Sequence, residues 1–125
     1  MITALSESHP YLTVFSNGKQ TANADTTIDK GGGNQGFRPH ELLEAALATC
    51  MNMHLRMYAA NHAIELGEVS TKVSLDRSSP SEAVFNYSIE LSGQLDDEQR
   101  RKLLEIAETC PVRRTLSKKL SFIGL

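Results

Sequence analysis

Only two cysteines occur in this chain of 125 residues, and their settings are what first suggests chemistry. Cys50 lies inside the run from Pro39 to Ala60, PHELLEAALATCMNMHLRMYAA, with His54 one helical turn later on the same face. A cysteine there is either a nucleophile, if something favours its thiolate, or one more packed apolar residue, since free cysteine is among the most buried residue types. His54 has the same two readings: a group that tunes the thiol, or a helix-face histidine held by packing and hydrogen bonding. Cys110 directly precedes Pro111, which puts it at the cap of a last, short helix, where unpaired N–H groups and the helix dipole favour an anion. Arg113 and Arg114 fall in the first turn of that helix. The bland counterpart is a cysteine packed at a helix end beside a solvated basic face.

Cys50 and His54 also have the i, i+4 spacing of metal ligands. No third or fourth ligand clusters with them, and no CxxC or HExxH occurs, so no metal is expected. There is no G-x-S-x-G, Rossmann glycine pattern or phosphate-binding glycine loop, and no cofactor is expected either.

The thiols need elements to hold them. At about 100° per residue, Cys50 shares a stripe with Leu43, Ala46, Leu47, His54 and Met57. The opposite side, with Ala45, Ala48, Leu55 and Ala59, is hardly more polar, and the charges are confined to Glu41, Glu44 and Arg56. A helix apolar nearly all round is one that other elements surround, and this one would run roughly 33 Å. Pro39 suits its first turn and Glu41 complements the positive end of its dipole. Upstream, Tyr11 to Phe15 reads as a strand, Asn17-Gly18 as a type I′ hairpin turn, and Lys19 to about Ile28 as the returning strand. Gly31 to Gly36 then reads as a flexible connection.

Downstream, Ile64 to Glu68 is a connector broken at Gly67. Val69, Thr71, Val73 and Leu75, and after a Ser-Pro turn Phe85, Tyr87, Ile89 and Leu91, alternate as the strands of a second hairpin. Asp96 with Gln99 forms a capping box, and Leu103, Ile106, Ala107 and Cys110 fall on one face of the helix that follows. Val112 to Leu120 is a short basic helix, and Phe122 to Leu125 a final strand. The order describes an α+β protein, a single domain over residues 1–125, with mostly antiparallel sheet around a long central helix.

Thirteen basic residues against fifteen acidic ones, no Trp and few other aromatics give no surface for nucleic acid. Asn52, His54 and Arg56 interrupt the long helix, so it is no membrane span. The N-terminus has neither a basic start nor an apolar stretch, which points to the cytoplasm, a reducing compartment where two thiols are better read as reactive or buried than as a permanent staple.

Gly36-Phe37-Arg38-Pro39-His40-Glu41-Leu42-Leu43, then Ala45-Ala46-Leu47-Ala48-Thr49-Cys50, then Leu55-Arg56-Met57-Tyr58-Ala59, and later Cys110-Pro111-Val112, resemble the OsmC/Ohr family of osmotically induced and organic-hydroperoxide-resistance proteins. The resemblance covers essentially the whole chain and is closest to the OsmC-like redox-protein branch. It implies an OsmC-like fold in an intertwined homodimer that buries the long helices. It also implies thiol peroxidase chemistry in an oxidative stress response: Cys50 attacks an organic hydroperoxide, Cys110 resolves the sulfenic acid as a disulfide, and an external dithiol reductant restores both. Arg38 and Glu41 are the charged residues that would tune the thiolate. The peroxidase branches carry a glutamate at the position of His40 and an arginine in the N-terminal hairpin; here Glu41 comes one residue later and no arginine precedes Arg38. The alternative is a redox protein that exchanges disulfides, or a module that binds a small hydrophobic ligand, without efficient peroxidase activity.

Overall fold

A computed structural model describes all of Met1–Leu125. Two compact units divide the chain, Met1–Leu43 and Glu44–Leu125.

The first unit holds an antiparallel sheet of β1 (Thr3–Ser6), β2 (Thr13–Ser16) and β3 (Thr21–Ala24), in that order. β1 has no sequence signature of its own; it pairs with β2, Thr3 opposite Ser16, although all four of its residues are exposed. The β2–β3 connection is not the anticipated two-residue type I′ turn. Ser16 pairs with Thr21, leaving four residues between, and only Gly18 has positive φ, at 94°. The Asn17 side chain does the work instead, its Oδ1 accepting the N–H groups of Lys19 and Gln20 at 2.9 and 2.8 Å.

β3 ends at Ala24, short of Ile28, because Asp25 turns inward. Only 4% exposed, it accepts N–H groups from Thr26 (2.7 Å), Gly33 (3.2 Å) and Gln35 (3.0 Å). These bonds, the Gln35 N–H foremost, hold its carboxyl below the usual aspartate range. The glycine-rich stretch is therefore a tied loop and not a loose connection. It folds back so that Phe37 bridges Ala24, with Asp25 N–H on Phe37 O at 3.0 Å. A Cβ on Gly36 would sit 2.5 Å from Asn23 O, so only glycine lets these backbones approach.

Helix α1 (Pro39–Asn61) follows, with proline in its first position as anticipated. From Glu44 on it belongs to the second unit, with the hairpin β4 (Leu66–Asp76) and β5 (Val84–Gly93) and the helices α2 (Asp97–Ala107) and α3 (Pro111–Leu116). The hairpin register sets Val69 against Leu91, Thr71 against Ile89, Val73 against Tyr87 and Leu75 against Phe85, the alternating residues of the sequence. β4 starts earlier than expected, with a bulge between Leu66 and Val69 absorbing Gly67. α2 has the anticipated capping box, Asp96 accepting from Gln99 N–H at 2.7 Å and Gln99 returning the bond at 3.1 Å. α3 stops at Leu116, and residues 119–125 form no strand.

The core is built from Leu47, Met51, Leu55 and Ala59 of α1 with Leu103, Ala107 and Cys110. Only Leu47 is shared with the stripe drawn through Cys50, whose Leu43 and Met57 are 44% and 62% exposed. On a helix apolar nearly all round, sequence gives no direction to the buried face; the packing of β4, β5 and α2 chooses it. Burying Met51, Leu55 and Leu103 completely is worth roughly 2–3 kcal/mol each. Beside the apolar stripe runs a polar one. Glu44 Oε2 accepts Leu75 N–H (2.9 Å), Ala48 O accepts the Thr71 hydroxyl (2.8 Å) and Asn52 Nδ2 donates to Val69 O (2.9 Å). These three rungs, four residues apart, fix β4 along α1.

Candidate functional site

Pro111 starts α3, and the residue before it becomes the cap: Cys110 has φ −61° and ψ 142°, and its Sγ accepts Arg113 N–H at 3.4 Å. Its side chain is completely buried. Cys50, half-buried on α1, packs against the same core cluster, and both thiols are free. Sequence-distant, the two come together at this cluster, where Cys50 is one of the groups that influence Cys110. Burial pushes the Cys110 thiol above its usual value of 9.0; the Arg113 and Val112 N–H groups pull the other way, and the Cys50 thiol adds to the rise. This corrects the expectation that the helix cap would hold Cys110 as an anion. The cap forms, but loss of water outweighs it.

His54 does not stand free on its helix face. Its Nε2 lies 2.9 Å from the Thr109 hydroxyl, on the residue just before Cys110. On the other side of Cys110, Arg113 reaches β5, donating from Nη1 to Tyr87 Oη at 3.1 Å with its guanidinium 5.7 Å from the ring centre. Thr109 carries no signal in the sequence and Tyr87 only that of a strand, because each matters here through a partner far along the chain. Asn52 and Glu44 are in the same position: in the sequence one is an interruption of the apolar helix and the other one of its few charges.

Arg38 and Glu41 come together with each other at the start of α1. Glu41 Oε1 accepts both the Arg38 backbone N–H (2.9 Å) and its Nε (3.1 Å), and these two bonds, the backbone one first, hold the Glu41 carboxyl below its usual range. The side chains are 54% and 41% exposed, so this is a surface ion pair closing a helix start. No three His, Cys, Asp or Glu side chains converge as a metal-binding group, and no helix is long and apolar enough to cross a membrane.

The fold recurs in solved structures. An OsmC-like protein of Mycoplasma pneumoniae is 18% identical, with a TM-score of 0.78 over 93% of this chain and 85% of that one. An organic hydroperoxide resistance protein OsmC of Legionella pneumophila is 20% identical, with a TM-score of 0.67 over 94% and 88%. The organic hydroperoxide resistance protein OhrB of Bacillus subtilis is 22% identical, with a TM-score of 0.63 over 94% and 89%. At such identities the likeness is one of fold. None of the curated proteins matches this chain. The profile described as OsmC-like protein matches residues 31–123, from the tied glycine loop through the cysteine-capped helix. The chain belongs to the OsmC-like protein family.

Proposed function

We propose that this protein reduces organic hydroperoxides through its two thiols. One observation carries the reading: Cys50 and Cys110 are free, neighbouring and unequal in exposure, and burial pushes the Cys110 thiol up. The Cys50 thiolate attacks the peroxide oxygen remote from the alkyl group; the O–O bond breaks, the alcohol leaves with a proton, and Cys50 becomes a sulfenic acid. Cys110, protonated until then and so no competitor for the peroxide, attacks that sulfur; water leaves and a disulfide remains. An external dithiol supplies two electrons and two protons to restore both thiols. Arg38 and Glu41 stand in for the charged pair of the peroxidase branches, with His54 as a further tuning group. Residues 1–125 act as one domain in the cytoplasm, and a second copy covers the exposed Met53 and Met57 of α1 in a homodimer. The names of the Legionella and Bacillus relatives support the substrate class.

One observation favours a second reading, a protein that exchanges disulfides without meeting peroxide: Arg38 and Glu41 are committed to each other as a helix cap. Thiol counts before and after one equivalent of cumene hydroperoxide decide between the two. Under the first reading the wild type loses both thiols, Cys110→Ser loses only Cys50, and Cys50→Ser loses none. Survival of both thiols in peroxide, with loss in a disulfide reagent, selects the second.

A further inference from the structure

One turn along α1 from Cys50, a second residue of the helix reaches the segment that carries Cys110. His54 follows Cys50 by four residues on α1, so its side chain leans back over the turn that carries the thiol. Thr109 immediately precedes Cys110. The Thr109 hydroxyl has one proton, and it is already donated to Ile106 O at 2.8 Å. With that proton on Ile106 O, the hydroxyl oxygen, 2.9 Å from His54 Nε2, is the acceptor and His54 carries a proton on Nε2. This makes the hydrogen bond a directed tie from the Cys50 helix to the residue beside Cys110. The tied segment has no regular structure of its own: α2 ends at Ala107 and α3 begins at Pro111.

We propose that His54 is a positioning residue for the dithiol: by donating to Thr109 it holds the segment carrying Cys110 against the turn of α1 carrying Cys50, and so sets how readily the two thiols close. The proposal rests on the redox reading above. Closure against oxidised glutathione is balanced: the protein S–S bond forms, the glutathione S–S bond breaks, and two glutathione thiols take up the two protons and two electrons. The closure constant, in molar units, is the effective concentration of one thiol at the other. One neutral hydrogen bond should raise it about fivefold.

The experiment equilibrates the wild type, His54→Ala, His54→Gln, Thr109→Val, Thr109→Ser and the double variant His54→Ala/Thr109→Val with graded glutathione ratios, followed by thiol trapping and mass spectrometry. Far-UV circular dichroism checks each fold. Closure constants about fivefold lower are expected for His54→Ala and Thr109→Val. The double variant should fall no further, and Thr109→Ser and His54→Gln, which keep an acceptor and a side-chain N–H, should recover most of the loss. In the reduced wild type, imidazole nitrogen shifts should report a proton on Nε2. Unchanged constants in both single variants, or independent losses that multiply in the double variant, would overturn the tie. A wild type that closes to no disulfide at any ratio would instead overturn the redox reading itself.

Discussion

Helices α1 and α3 both begin on a proline, and each is closed by a bond between the residue before that proline and the residue three further on. At α1 the bond runs from the Arg38 N–H to the Glu41 side chain; at α3 it runs from the Arg113 N–H to the Cys110 side chain. α2 makes both bonds at once, through Asp96 and Gln99. The two proline-started helices thus use opposite halves of one capping device, and they use them in opposite surroundings. Arg38 and Glu41 are in water, and their pairing lowers a carboxyl pKa; Cys110 is out of water, and its cap fails to offset the rise that burial causes. Local spacing selects the cap, but solvent decides whether the capping side chain is ionic.

The severest way to break that contrast is Cys110→Asp. Aspartate is among the best N-cap residues, so if capping governed the site the protein would gain stability. We expect the reverse, a loss of about 3 kcal/mol or more in urea unfolding at pH 7, because the new charge, with only the cap N–H to accept, has no water and no counter-ion. A smaller effect separates the two helices by pH. Cys110 has a folded pKa raised above 9.0, so the unfolded chain gives up this proton first, and the stability it contributes is present below pH 9.0 and lost as pH climbs from there through the folded value. Cys110→Ala should flatten that alkaline decline in a urea titration series.

Glu41 has a folded pKa below its usual 4.5, so its contribution is present above pH 4.5 and lost as pH falls through the lower folded value. Glu41→Gln should remove that acid-side component. Its melting temperature at pH 7 should differ from the wild type by roughly 2 °C or less, since an exposed ion pair is worth little. A larger drop would mean that the surface cap is more than local.

Much of this fold could be read from the chain because its signals are local. Pro39, the Asp96–Gln99 box and Pro111 each fix a boundary, and the alternation through β4 and β5 their paired residues, by mechanisms confined to a few residues. What could not be read depends on distant partners. The glycine stretch looks like a linker until Asp25 is seen accepting Gly33 and Gln35, and β1 looks like coil until β2 pairs with it. The site divides in the same way. Both cysteines were identifiable by residue type and by the family resemblance. The Thr109 tie, the Arg113–Tyr87 contact and the choice of Leu47, Met51, Leu55 and Ala59 as the buried stripe depend on packing between distant segments.

The complete burial of Cys110 also makes it a gauge. With Cys50 replaced by serine it is the only thiol left in the chain, and an alkylating reagent can reach it only when the core around Met51, Leu55 and Leu103 comes apart. Its labelling rate in native buffer, divided by its rate in denaturant at the same pH, then reads the fraction of molecules open at any moment. The same arithmetic holds inside a cell under electrophilic stress: a molecule marked at Cys110 is one that was caught unfolded.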